Sequence, residues 1–287
     1  MDVLIITGPT ASGKTALSEQ VATSVPSEII NTDVGQFYTP LSIGTAKPDL
    51  ATLFYPAHCF DLLNEPRDLS VVAYRTLVTN LVDQIRQRDK LPILVGGSLF
   101  YIKSLFFPPI EPAIGNVQQV CIRSHSWEHL REIDSARAEQ IHPNDKYRIQ
   151  RALAIWQQTG IKPSQYKPIF NPPFKATIIF VCPERETLNE NIKKRVEVMI
   201  QQGWVEEAEK LIGTDWEPFL QKKGLIGYPE LIDWIKQGKQ PDTFDQVVKV
   251  IQLGTIAYAK RQVTFWKSFA KQLEDAAACN FDGTIKI

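Results

Sequence analysis

Between a short apolar run and a helical segment the chain carries Gly8-Pro9-Thr10-Ala11-Ser12-Gly13-Lys14-Thr15, which meets every fixed position of G-x-x-x-x-G-K-[ST]. Val3–Thr7, just before it, is a β-rich apolar stretch and predicts a buried strand. Residues 15–24, just after it, place Ala16, Leu17, Val21 and Ala22 on one side of a helix. That context gives the spacing its chemistry. Glycines let backbone N–H groups curl around an anion, and the helix N-terminus adds positive potential. Lys14 supplies a point charge, and the Thr15 hydroxyl is placed to ligate Mg²⁺. Such a loop commits the chain to binding a di- or triphosphate group and to an α/β fold, but it does not say which phosphate ester is bound.

The following segments extend the same architecture. Residues 27–32 and 91–95 predict two further strands, the second entered through Pro92 and ended by Gly96-Gly97. Between them, residues 71–88 have helical periodicity in Val72, Leu77, Leu81, Val82 and Ile85. Strands alternating with helices imply a parallel sheet covered on both faces. Two proline-rich stretches, 108–112 and 168–173, then bracket a helical segment. Over residues 123–167 it holds eight Lys or Arg against five Asp or Glu. A strand over 177–182 resumes the core, and the pattern from Glu186 onward is mostly helical. The expected architecture is a P-loop α/β core from residues 1–111 and 173–287, with a helical insertion domain over 112–172.

Composition limits the partners. The 32 Lys and Arg balance the 32 Asp and Glu, so any nucleic acid must be held by a local basic patch rather than by net charge. The four cysteines, Cys59, Cys121, Cys182 and Cys279, are scattered without paired spacing, which suggests reduced thiols rather than a disulfide frame or zinc finger. The start lacks the features of a signal peptide, and no run approaches the roughly 18 to 20 apolar residues of a membrane span. A cytoplasmic enzyme with no membrane partner is expected, and a monomer, since nothing calls for an obligate oligomer.

Asp33 lies just beyond the second strand, in Asn31-Thr32-Asp33-Val34-Gly35-Gln36-Phe37-Tyr38. In an open α/β sheet the strand C-termini share one crevice with the phosphate loop. Asp33 is therefore a candidate metal ligand, general base or turn former. Ser98, after Gly96-Gly97, offers a hydroxyl to the same rim, and Asp61 is a further acidic candidate. His125-Ser126-Trp127-Glu128-His129 matches the inverted zinc-protease pattern H-x-x-E-H, but without an evident third ligand a solvated helix face is the simpler reading.

The chain resembles one family along nearly its whole length, the tRNA dimethylallyltransferases (isopentenyltransferases). The resemblance is carried by the 8–15 loop, by Asp33 with Gln36 and Tyr38, by Ile43-Gly44-Thr45-Ala46-Lys47-Pro48 and by Pro92-Ile93-Leu94-Val95-Gly96-Gly97. Pro143-Asn144-Asp145 with Arg148 and Arg151-Ala152-Leu153, then Ile226-Gly227-Tyr228, then Tyr258-Ala259-Lys260-Arg261-Gln262 complete it. It implies that Asp33 is a general base taking a proton from the N6 of an adenine, with Ser98 orienting that amine. Gly8, Thr10, Ala11, Ser12, Gly13, Lys14 and Thr15, with Arg195 and Mg²⁺, would bind the pyrophosphate of dimethylallyl diphosphate. Asp33, Val34, Gly35, Gln36, Tyr147, Arg148, Arg151, Gly227, Tyr228, Lys260, Arg261 and Gln262 would meet the tRNA anticodon stem-loop. The expected product is N6-dimethylallyladenosine at position 37, next to the anticodon.

There are departures. Val34 stands where the family commonly has serine, Gln118 near a usual arginine, Ile256 for an arginine after Thr255, and Pro229 for a basic residue. Each removes a polar or cationic group that could contact RNA. The chain ends soon after Lys267 without a C-terminal zinc finger, as expected of a compact bacterial-type or organellar member. Three other readings compete: a P-loop kinase, an adenylate isopentenyltransferase acting on free AMP or ATP, and a non-catalytic RNA scaffold. The basic insertion and the Lys260-Arg261-Gln262 block weigh against the first two, and intact Lys14, Thr15 and Asp33 against the third.

Overall fold

In the computed structural model, which describes residues 2–110, 126–280 and 285–286, the apolar runs become the centre of a parallel sheet. The first elements are β1 (Val3–Thr7), α1 (Lys14–Ser24), β2 (Ser27–Asn31), β3 (Ala57–His58), α2 (Val71–Arg86), β4 (Leu91–Gly96) and α3 (Leu99–Phe106). After α4 (Trp127–Ile133), α5 (Ser135–Ala138) and α6 (Lys146–Thr159) the chain returns to the sheet as β5 (Ala176–Phe180). Then α7 (Arg185–Gln201), α8 (Trp204–Glu209), α9 (Trp216–Lys223), α10 (Tyr228–Lys236) and α11 (Pro241–Asn280) lead to β6 (Ile285–Lys286).

The strand order is β3-β2-β4-β1-β5-β6, and every pairing is parallel. Continuous apolar runs such as Val-Leu-Ile-Ile suit this arrangement, because both faces of a parallel sheet are covered. One face, with Leu4, Ile6, Ile29 and Ile93, packs against Leu17, Val21 and Ala22 of α1. On the other, α2 buries Val71, Tyr74, Val78, Val82 and Ile85 against β2 and β4. The edge strands β3 and β6 are two residues each, too short to leave a periodic signal in sequence. The third strand from the N-terminus is thus β3, not the 91–95 run, which forms β4.

Helix α11 has 40 residues, about 60 Å at 1.5 Å per residue. Two contacts seat it on the core. Trp266 stacks on Phe180 of β5 with centroids 4.6 Å apart and planes 1° from parallel. One turn below Gln262, Ala259 packs with Leu188 and Ile192 of α7. Among the described residues no helix is long and apolar enough to cross a membrane.

Phe106–Asn171 forms a compact unit distinct from Met1–Leu105 with Pro172–Ile287. Its small core is Leu130, Ala138, Ile141, Ile149, Ala152 and Leu153, with Trp127 and Ile133 packed against it. The Trp127 indole N–H is shared by the carbonyls of Ala138 and Ile141, each at 2.9 Å. Asp145 caps α6 by accepting the Arg148 N–H at 3.0 Å, and Gly160 ends it in the left-handed conformation. His125, Gln118 and Cys121 lie outside the described residues. His129 sits 3.6 Å from Glu132, one turn along an exposed stretch.

Candidate active site

The phosphate loop takes the shape its sequence demands. Ala11 and Gly13 both adopt left-handed backbone conformations, at φ 59° and 91°, which turns successive amides toward one side. Ser12 Oγ is buried without a hydrogen-bond partner among the described residues, and Lys14 Nζ donates to the Pro9 carbonyl at 2.6 Å. Thr15 stands exposed in the first turn of α1. The hard oxygens of Thr15 and Ser12 suit Mg²⁺ chemically.

Asp33 caps the 3-10 turn Val34–Phe37. Its Oδ1 accepts the Gly35 N–H at 3.1 Å, and its own N–H donates to Asn31 Oδ1 at 2.8 Å. Ser98 Oγ accepts the Val34 N–H at 3.0 Å, so its own proton remains available to a further acceptor. Asp33, Ser98, Thr10 and Arg195 line one cavity of about 540 Å³, together with the apolar Ile192, Val196, Met199 and Phe265. Charged and hydroxyl groups together with apolar side chains in one cavity suit a substrate with a charged end and a hydrocarbon end.

The charges here are withdrawn from water. Burial lowers the Lys14 ammonium to about 8, although Asp33 pulls in the opposite direction; Arg195 adds to the lowering. Burial likewise lowers Arg195, against the attraction of Asp33. Burial, then Asp33, raises the Tyr258 phenol, which stays protonated. A dianionic or trianionic group entering this site would meet cations already stripped of much of their hydration, where electrostatic stabilisation is strong.

The expected RNA-contacting residues fall into three settings. Lys260 and Arg261 are exposed on α11, with Arg261 5.8 Å from the Tyr258 ring centroid. Tyr147, Arg148 and Arg151 are in the Phe106–Asn171 unit, where Tyr147 is 57% exposed and Arg151 donates to its hydroxyl at 3.2 Å. Others are turned inward. The Tyr228 side chain is fully buried, donating to Glu207 Oε1 at 2.7 Å. Gln36 Nε2 donates to the carbonyls of Thr45 and Ala46, each at 3.1 Å. Gln262 is buried, with both ends of its amide engaged. Asp61 pairs with Lys47, whose Nζ also donates to the Tyr38 carbonyl at 2.8 Å.

Sequence reasoning did not assign Glu207 or Tyr258. The Glu207 carboxylate accepts the N–H groups of Ser42, Ile43 and Gly44 at 2.8 to 3.0 Å, which fixes the turn that Gln36 also holds. In sequence it is one of two adjacent glutamates and looks like a surface pair. Tyr258 was within reach: Tyr258, Arg261, Gln262 and Phe265 all line the cavity, at i, i+3, i+4 and i+7 of one helix face. Gly44 and Gly227 also gain a reason. A Cβ on either would come within 2.0 to 2.1 Å of the buried Trp204 indole, so only glycine lets both turns close on it.

Strand ends that converge on an anion-binding loop place the chain among P-loop transferases. It belongs to the IPP transferase family, whose model matches residues 36–269. It is 32% identical over 278 residues to a tRNA dimethylallyltransferase of Geobacter sulfurreducens, covering 92% of this chain and 88% of that one. A second, from Symbiobacterium thermophilum, is 33% identical over 282 residues, covering 93% and 86%. Among solved structures, a eukaryotic dimethylallyltransferase captured in crystallographic snapshots acting on tRNA matches with a TM-score of 0.75 and 25% identity, covering 99% of this chain and 73% of that one. A tRNA isopentenylpyrophosphate transferase of Staphylococcus epidermidis matches with a TM-score of 0.60 and 27% identity, covering 99% and 93%.

Proposed function

We infer that this chain transfers a dimethylallyl group from dimethylallyl diphosphate to N6 of the adenine at position 37 of tRNA, and that it works as a cytoplasmic monomer. The observation that carries the reading is one cavity lined by Asp33, Ser98 and Arg195 together with the apolar Ile192, Val196, Met199 and Phe265. In the reaction the bond from N6 to the allylic carbon forms as the carbon–oxygen bond to pyrophosphate breaks. The N6 proton passes to the Asp33 carboxylate. N6 is a weak nucleophile because its lone pair is delocalised into the ring, so removing its proton as it attacks lowers the barrier. Ser98 donates its free hydroxyl proton toward the acceptor base and orients it.

Pyrophosphate gains negative charge as it leaves, so donors fixed around it favour the transition state over the ground state. Lys14, Arg195 and the amides of residues 11–15 of the loop take that part. Mg²⁺, held by the Thr15 hydroxyl with the diphosphate oxygens, would neutralise further charge on the leaving group. The adenine must leave its stack to enter, at a cost of a few kcal/mol. Phosphate contacts from Arg148, Arg151, Lys260 and Arg261 would offset that cost. The test incubates the protein with Mg²⁺, labelled dimethylallyl diphosphate and either tRNA or AMP. Label is expected in tRNA; label in AMP alone would overturn the reading.

A further inference from the structure

We propose that Gln262 is a positioning residue, a strut that sets the spacing between the donor loop and the acceptor-side turn. The proposal rests on the transferase reading above, which defines those two sides. Gln262 Oε1 accepts the Thr10 N–H at 2.9 Å, and Nε2 donates to the Gly97 carbonyl at 2.8 Å. Gln262 is 6% exposed; its bond to Gly97 is buried and its bond to Thr10 partly so. Each partner fixes one end of the amide: Thr10 N–H needs an acceptor and Gly97 C=O needs a donor. An ionised carboxylate cannot donate, and a lysine or arginine cannot accept. A carboxamide of this length does both at neutral pH.

The two ends of the strut touch the two halves of the reaction. Thr10 is in the diphosphate-gripping loop, and its amide is spent on Gln262 rather than left for phosphate. Gly97 immediately precedes Ser98, which holds the Val34 N–H and so the turn that Asp33 caps. A Cβ on Gly97 would lie 2.5 Å from Gln262 Nε2 and 3.8 Å from Asp33 Oδ2, so a side chain there would push the amide from its place. Behind Gln262, α11 is pinned one turn away on either side, by Ala259 against α7 and by Trp266 stacked on Phe180. The strut therefore grows from a seated helix and not from a mobile loop. Gln262 also sits beside Arg261 in a block that otherwise presents charge to solvent, which makes an RNA contact the competing role.

Two variants separate strut from contact. Gln262→Met keeps the length and loses both polar ends; Gln262→Glu keeps the acceptor and loses the donor until it is protonated. For each, kcat and KM for dimethylallyl diphosphate are measured at saturating tRNA, with tRNA Kd and its salt dependence by filter binding and Tm by melting. A displacement of about 1 Å between reacting groups costs up to about 100-fold, so Gln262→Met is expected to lose about 10- to 100-fold in kcat. Its tRNA Kd and salt slope should stay at wild-type values. The kcat of Gln262→Glu, taken as a ratio to wild type at each pH, should recover toward acid as the protonated carboxyl regains its bond to Gly97. Wild-type kcat in Gln262→Met, or a loss confined to tRNA Kd, would overturn the strut. If Gln262→Met does not fold, the pH ratio of Gln262→Glu decides, and a ratio flat with pH overturns it. Transfer by the wild-type protein in the same assay checks the transferase reading separately.

Discussion

Strand β2 has a carboxylate near each end, and the two are surrounded in opposite ways. Glu28, near the start, is 2% exposed and ringed by the side chains of Arg88, Lys90 and His58. Arg88 grips it with two bonds of 2.9 and 2.7 Å, Lys90 Nζ lies at 3.1 Å and His58 Nε2 at 2.7 Å. The bond from Arg88 is the largest of the effects that hold Glu28 down at about 2, against the upward push of burial. Asp33, just past the other end, takes one backbone N–H on Oδ1 and feels Lys14 and Arg195 through space. A carboxylate saturated with donors is a poor base, because each bond favours the charged form. One with an oxygen left open to a cavity can still take a proton. The strand thus has an anchor at one end and a reactive group at the other.

Exchanging each carboxylate for its amide should break the two ends differently. Asp33→Asn can still accept the Gly35 N–H, so the turn should persist with unchanged Tm and unchanged tRNA affinity. Turnover in a single-turnover labelling assay should fall by about 10² to 10⁴, the range for a lost general base. Retained turnover would mean that the N6 proton leaves by another route.

Glu28→Gln should do the reverse. Removing the charge leaves Arg88 and Lys90 gathered around a neutral group, a change that costs about 3–5 kcal/mol in a fully buried pair. Arg88 is 45% exposed and can rehydrate, so about 2–4 kcal/mol is expected by chemical denaturation, with kcat per folded molecule unchanged. The effect carries a pH signature. Glu28 is lowered from 4.5 to about 2 on folding, so its contribution is complete above about pH 4.5 and drains away as pH falls toward 2. The stability gap between wild type and Glu28→Gln should therefore narrow below about pH 4.5. A gap independent of acid would show that the loss comes from packing and not from charge.

The same two residues show what the sequence made legible. Asp33 could be singled out because strand C-termini in an open sheet face the phosphate loop, a rule that needs only the strand's end and direction. Glu28 gave no such signal. Its partners His58, Arg88 and Lys90 are 30 to 62 positions away, and only the parallel pairing of β2 with β3 and β4 brings them together. Edges were misjudged for a related reason. Residues 177–182 read as a strand, yet β5 runs Ala176–Phe180 because its pairing with β1 begins opposite Val3 and the chain then turns across Gly8. Gln262 was legible as a functional position, but its bonds to Thr10 and Gly97 span 252 and 165 residues, so its partners had to come from the fold.

The cations near Asp33 allow the finest test of the comparison. Lys14 is lowered to about 8 chiefly by burial, whereas a cation compensated as Arg88 is by Glu28 is pushed up instead. In the free enzyme only protonated Lys14 presents charge to an incoming diphosphate. The kcat/KM for dimethylallyl diphosphate reports free-enzyme ionisations, so it should bend downward above about pH 8, approaching tenfold per pH unit. Bound diphosphate favours the charged ammonium, so at saturating donor the same bend in kcat should move to higher pH. Lys14→Met should abolish the bend in kcat/KM while lowering its plateau. If the bend persists at the same pH in Lys14→Met, another group near the cavity sets the charge that the diphosphate meets, and the contrast with Glu28 would then rest on Asp33 alone.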